Sequence, residues 1–303
     1  MQRKVALVTG ANKGIGLATV AQLAKLEPST LVLLGSRDLE RGQEAVRGLQ
    51  EKENLQNVQL LRIDLDDEAV IKEAAESVRK EFGGLDVLIN NAGMAYKGDA
   101  FNEEVARTTI NTNFFGTLNV CDAFLPLIRP YGRVVNVSSR AGSLKRLQND
   151  KLREQFTDET LTIVQHPFFI FSLLRLLFLW PHLYFCPLFL TYKPYQSQLC
   201  ELMNKFVEDV KNERCEEEGW PRNTYGVSKA GVSALTRVLA RQEKREGILI
   251  NACCPGWCRT DMAGPSATRS AEQGAEVAVW LATRPKEETR TGMFFADNEP
   301  IEF

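Results

Sequence analysis

The chain reads as an α/β protein: a single domain on a doubly wound parallel sheet, with an apolar insertion in its second half. Three observations predict this. Short β-rich runs alternate with amphipathic helical stretches through the first half. A glycine-rich turn, Thr9-Gly10-Ala11-Asn12-Lys13-Gly14-Ile15-Gly16, follows the first such run and opens the first helix. No Pro/Gly/Ser linker or charge block divides the 303 residues, and at that length one large domain buries about three quarters of its unfolded surface.

The elements follow in order. Val5 to Thr9, Leu31 to Leu34, Gln59 to Ile63, Val87 to Asn90 and Arg133 to Val137 are predicted strands, because their near-continuous apolar character suits a sheet covered on both faces. Ile15 to Leu26, Glu40 to Glu53, Glu68 to Phe82 and Phe114 to Leu127 carry apolar residues at helical spacing. Right-handed crossovers between them wind the sheet both ways. Later come a helix from about Glu201 to Glu213, another from Tyr225 to about Arg245, a strand at Ile248 to Ala252 and a last strand near Met293 to Ala296.

Composition excludes several functions. Lys plus Arg number 37 and Asp plus Glu 39, so no basic surface awaits nucleic acid, and a small neutral substrate fits better. Seven cysteines without zinc-like spacing, and no signal peptide before the first strand, point to a reducing, cytoplasmic setting. Cys254-Pro-Gly-Trp-Cys258 has one residue too many for a redox pair. No metal is expected, since the only histidines, His166 and His182, lie in a stretch without carboxylates.

Tyr225-Gly-Val-Ser-Lys229 sets a phenol and an ammonium four residues apart, hence on one face of a helix. The glycine turn is of the kind that holds a dinucleotide pyrophosphate at a helix N-terminus. Each signal is weak alone. Together, with Asn90-Asn91-Ala92-Gly93, Asn113 and Ser138-Ser139 between them, they read as a hydride-transfer site. On these residues the chain resembles the short-chain dehydrogenase/reductases. Within that family Glu81-Phe82-Gly83-Gly84-Leu85-Asp86-Val87, Asn111-Thr112-Asn113-Phe114-Phe115-Gly116 and Asn251-Ala252-Cys253-Cys254-Pro255-Gly256-Trp257 resemble the monomeric NADPH-dependent carbonyl reductases of animals.

The resemblance implies a set of roles. Gly10, Asn12, Lys13, Gly14, Ile15 and Gly16 form the cofactor cradle. Arg37, Arg41 and Lys13 meet a 2′-phosphate, which selects NADP(H) where an NAD enzyme usually offers a carboxylate; Asp38 is the one acidic neighbour. Asp64 accepts from the adenine amine or caps the following helix, Asn90 steadies the central sheet, and Thr260 binds the nicotinamide carboxamide. Tyr225 is the proton donor, and Lys229 lowers its pKa and holds the nicotinamide ribose. Ser139, rather than its neighbour Ser138, bonds the substrate oxygen, and Asn113 holds a relay water. Met94, Tyr96, Trp257 and Met262 wall a pocket for flat ketones and quinones, and Cys254 faces either that pocket or the core.

One stretch departs from the family. Ile163 to Leu190 holds six of the sixteen phenylalanines and no acidic residue, so residues 162–198 read as an insertion such as translated non-coding sequence would give. A single membrane crossing there would part Ser139 from Tyr225, and Pro167, Pro181 and Pro187 break a long helix. The expectation is a monomeric cytoplasmic carbonyl reductase. The alternatives are an impaired nucleotide-binding variant that associates through the apolar loop, and a membrane-associated reductase of lipid or steroid ketones.

Overall fold

Strands β1 (Val5–Val8), β2 (Leu31–Ser36), β3 (Val58–Arg62) and β4 (Leu85–Asn90) alternate with helices α1 (Gly14–Leu26), α2 (Leu39–Glu53) and α3 (Glu68–Phe82). The structure is a computed structural model that describes residues 3–163 and 198–303. The expectations for residues 164–197 lie outside the described residues. After β4 come α4 (Glu103–Ile110), a π-helical turn (Asn111–Phe115), α5 (Gly116–Phe124), β5 (Ile128–Val137) and α6 (Asp150–Thr157). The rest comprises α7 (Gln198–Lys211), α8 (Thr224–Gln242), β6 (Leu249–Cys254), α9 (Ala271–Ala282), β7 (Phe294–Ala296) and β8 (Glu299–Ile301).

The eight strands form one sheet in the order β3-β2-β1-β4-β5-β6-β7-β8. All neighbours are parallel except the last pair, β7 with β8. The strand pleat explains the continuous apolar runs. Val5, Leu7, Leu31 and Leu33 face one core layer with α3, α5, α7 and α8, whereas Ala6, Val8, Val32 and Leu34 face a second layer with α1, α2 and α9. The order reverses at β1 and β4, so the crevice beyond their carboxyl ends is where such a sheet binds ligands.

Several elements differ from the sequence expectations. The helix expected from Phe114 starts at Glu103, its N-terminus capped by Asn102, and passes through the π turn before α5. The Tyr225 helix stops at Gln242. Helices α4, α6 and α9 and the short edge strand β8 were not anticipated. Asp67, not Asp64, caps α3, its carboxylate accepting from Ala69 and Val70 N–H groups. Ile163, placed by sequence inside the insertion, is buried in the first core layer, and its carbonyl accepts from Gln242 Nε2 at 3.0 Å. Ile163 is therefore packed against the domain.

Helix α7 packs on α4 and α8, burying Met203 and Phe206. Its Asp209 is fully buried yet satisfied by Lys205, Arg214 and the Trp220 indole N–H. Among the described residues, no helix is long and apolar enough to cross a membrane, no group of three or more His, Cys, Asp or Glu could hold a metal, and the six cysteines are free thiols.

Candidate active site

The crevice at the carboxyl ends of β1, β4, β5 and β6 holds a cavity of about 700 Å³. Gly10, Asn12, Lys13, Gly14, Ile15 and Gly16 line it together with Arg37, Asp64, Ser138, Tyr225, Lys229, Thr260 and Met262. The glycines are needed here for contact. A Cβ on Gly10 would stand 2.7 Å from Ala92 Cα, and one on Gly16 would stand 2.5 Å from the Gly10 carbonyl oxygen. Thr9 and Asn91 set the turn: Thr9 Oγ1 accepts from the Asn91 and Ala92 N–H groups, and Asn91 Nδ2 donates to the Thr9 and Gly10 carbonyls. Asn91 was quoted in the sequence motif, but its part in holding the turn was missed, because nothing local distinguishes it from Asn90.

Asn90 turns into the sheet, its Nδ2 donating to Asn136 Oδ1 on β5 at 2.8 Å. Asn136 in turn donates to Thr236 Oγ1 on α8. This buried amide chain ties β4 and β5 to the helix that carries Tyr225.

The two serines after β5 have separate surroundings. Ser138 Oγ is buried between the Lys229 carbonyl at 2.9 Å and Ser233 Oγ at 2.7 Å, which anchors α8 to the sheet. Ser139 Oγ accepts from Ala141 N–H at 3.1 Å and stands beside the Tyr225 phenol. Lys229 is buried, donates to the Val137 carbonyl at 2.8 Å and stands 5.7 Å from the centre of the Tyr225 ring. Burial lowers its pKa to about 8, against attraction to Cys253 and Cys254.

The expected acidification of Tyr225 is not present in the protein alone. Burial pushes the phenol up to about 12, and only the Ser139 hydroxyl pulls it down. The same burial disfavours the charge of the Lys229 ammonium.

The remaining predicted residues are less central. Asn113 is fully buried behind the cavity: Oδ1 accepts from Met94 N–H at 2.8 Å, and Nδ2 donates to the Met94 carbonyl and to Ser228 Oγ. Within the Asn113 side chain, the second lone pair of Oδ1 is what is left for a relay water. Cys254 is buried, its Sγ accepting from Arg140 N–H at 3.3 Å, so it packs the Ser139 turn. Tyr96 and Trp257 are exposed and stand outside the cavity lining, whereas Met94 and Met262 belong to it. Thr260 faces Gly14, whose Cβ would stand 3.2 Å from the threonine methyl.

Each cation assigned to a 2′-phosphate is held by a carboxylate: Lys13 by Asp261 at 2.6 Å, Arg37 by Asp66 at 3.7 Å and Arg41 by Asp38 at 3.3 Å. Asp38 also caps α2 through Arg41 N–H, so it is turned from the cavity mouth toward its own helix. Arg41 lines a neighbouring groove with Lys13 and Asp261 rather than the cavity itself. Asp261 and Asp66 lie too far from these cations in sequence to be paired by pattern.

The conserved pattern of the family described as short chain dehydrogenase matches residues 4–149. The chain belongs to that family. A second pattern, described as Enoyl-(Acyl carrier protein) reductase, matches residues 214–299. The NADPH carbonyl reductase 1 of Mus musculus is 46% identical over 306 residues, covering 98% of this chain and 97% of the mouse protein. The NADPH carbonyl reductase 3 of Rattus norvegicus is 45% identical over 295 residues, covering 94% and 93%. The structure of salutaridine reductase from Papaver somniferum superposes with a TM-score of 0.79 at 28% identity, covering 97% of this chain and 99% of that one.

The cavity fits a dinucleotide. Its glycine cradle admits no Cβ at Gly10 or Gly16, the first residues of α1 (Gly14, Ile15, Gly16) line it, and Lys13 and Arg37 stand at its lining.

Proposed function

We propose that this protein reduces ketones, aldehydes and quinones to alcohols at the expense of NADPH. The observation that carries the reading is that Tyr225 and Lys229 line one cavity with the glycine cradle, with Ser139 beside Tyr225, in a chain 46% identical to a mammalian NADPH carbonyl reductase along nearly its whole length. NADPH bound in the cradle supplies the hydride. The chain supplies the rest: Tyr225 donates a proton to the developing alkoxide, and Ser139, beside that phenol, shares the substrate oxygen. Lys229 holds the nicotinamide ribose and places a positive charge behind the phenol. Asn113 keeps Met94 and α8 in register. Arg37, Arg41 and Lys13 take the 2′-phosphate by exchanging their carboxylate partners, Asp64 takes the adenine amine and Thr260 the carboxamide. Met94 and Met262, with Tyr96 and Trp257 at the rim, give an adaptable apolar wall for flat substrates.

We also infer a cytoplasmic monomer. The free thiols suit a reducing compartment, and α7 covers the α4 and α8 faces that would otherwise be open to a second copy. The reading is tested by following NADPH oxidation with an ortho-quinone. Turnover with NADPH well above that with NADH is expected, and no turnover by folded protein contradicts it.

A further inference from the structure

We propose that Ser228, inside the Tyr225 to Lys229 motif, is a positioning residue for the reduction: its hydroxyl fixes the orientation of the Asn113 amide and through it the Gly93-Met94 backbone beside Lys229. The effect on turnover rests on the function proposed above; the effect on the amide does not.

Ser228 Oγ donates to the Tyr225 carbonyl at 2.7 Å. A serine bonding back one turn is common in helices and by itself means little. The same oxygen, however, accepts from Asn113 Nδ2 at 2.9 Å, across 115 residues of chain, and both side chains are fully buried. Because its proton is committed to Tyr225, Ser228 presents only a lone pair to Asn113. The amide must therefore turn its NH2 toward α8, which leaves Oδ1 to accept from Met94 N–H at 2.8 Å and the second amide proton for the Met94 carbonyl at 2.9 Å. A flipped amide would face oxygen to oxygen and NH2 to N–H at both ends.

The consequence reaches Lys229 through the residue before Met94. A Cβ on Gly93 would stand 3.2 Å from Asn113 Oδ1 and 3.4 Å from Lys229 Nζ, so amide, backbone and ammonium converge with no spare room. Removing the Ser228 hydroxyl strands one amide proton in a dry interior and leaves the Met94 backbone alone to hold the amide. Met94 and Gly93 are then held less firmly beside Lys229, which keeps its own bond to the Val137 carbonyl.

The test uses Ser228→Ala, Ser228→Thr, Asn113→Ala and the double variant Ser228→Ala/Asn113→Ala. In cofactor-free protein, exchange of the Asn113 side-chain amide protons is followed by 15N NMR. In the enzyme, kcat for quinone reduction and Kd for NADPH are measured. In Ser228→Ala one amide proton should exchange at least about tenfold faster and kcat should fall about tenfold, with Kd for NADPH unchanged. Ser228→Thr, which keeps the hydroxyl, should restore both, and Ser228→Ala should cost nothing further in the Asn113→Ala background. Faster exchange with unchanged kcat would make Ser228 merely structural and overturn the proposal. So would a Ser228→Thr variant as impaired as the alanine, or losses that add in the double variant. Wild-type protein inactive toward every carbonyl compound would refute the proposed function instead, and the amide exchange would still decide whether Ser228 orients Asn113.

Discussion

Tyr225→Phe separates chemistry from binding more cleanly than any other change in the site. The variant removes one oxygen and leaves the ring that packs beside Lys229. The lost ground-state interaction is the polar contact between the phenol and the Ser139 hydroxyl. Ser139 Oγ keeps its bond from Ala141 N–H, so no buried polar atom is orphaned and the stability loss should be about 1 kcal/mol or less. Lys229 keeps its bond to the Val137 carbonyl, so NADPH affinity should hold. Loss of the proton donor, by contrast, should cut kcat by roughly 10² to 10⁴-fold. Quinone-dependent NADPH oxidation gives kcat, and quenching of tryptophan fluorescence gives Kd. A variant with wild-type kcat refutes the acid role. A fall in kcat matched by an equal loss of NADPH binding refutes the division of labour between Tyr225 and Lys229.

Replacing Arg37 and Arg41 together by alanine should weaken NADPH about five- to thirtyfold and NADH hardly at all, since both guanidinium groups are exposed and already paired with carboxylates; equal losses in titrations with both cofactors would remove the 2′-phosphate assignment. Gly93→Ala should keep the circular dichroism spectrum but lose most of its turnover, because the added methyl meets Asn113 and Lys229; full activity would show that this convergence is slack. Asp122 on α5 is raised to about 7, mainly by burial and then by the Glu68 carboxylate, and its Oδ1 has no hydrogen-bond partner among the described residues. The folded state therefore holds that proton more tightly than the unfolded chain. Its stabilising contribution is complete below pH 4 and is lost as pH rises through about 7. Asp122→Asn should then be more stable than wild type at pH 8 by about 1–2 kcal/mol and no more stable at pH 4, as measured by urea unfolding; a gain that does not depend on pH would mean that the carboxyl is not the cause.

Much of the fold was legible because it is written in period. The buried parallel strands are apolar on both faces, and the glycine turn and the Tyr225 helix are local motifs whose spacing is their geometry. What escaped was short or non-local. Strand β8 has three residues including Pro300, too few for any period to show. Helix α9 could have been found, since Ser270 and Gln273 form a capping box ahead of an apolar run. Helix α4 begins in a polar, acidic turn and passes into a π turn, which blurs its helical spacing. In the site, the separate duties of Ser138 and Ser139 depend on Lys229 and Tyr225, some ninety residues away in sequence. The same holds for the ion pairs of Lys13 with Asp261 and Arg37 with Asp66. Tyr225 shows why charge proximity alone misleads: burial raises the phenol and lowers the ammonium, and the downward pull on the phenol comes from Ser139.

The most direct test of the account follows the hydride itself. NADPH carrying deuterium at the transferable C4 position is incubated with the protein and an aromatic ketone or aldehyde, and the product is analysed by mass spectrometry and NMR. The account predicts one alcohol formed per NADPH consumed, with deuterium on the carbinol carbon, and none of this product with Tyr225→Phe. NADPH consumed without alcohol, or alcohol without deuterium, would contradict it.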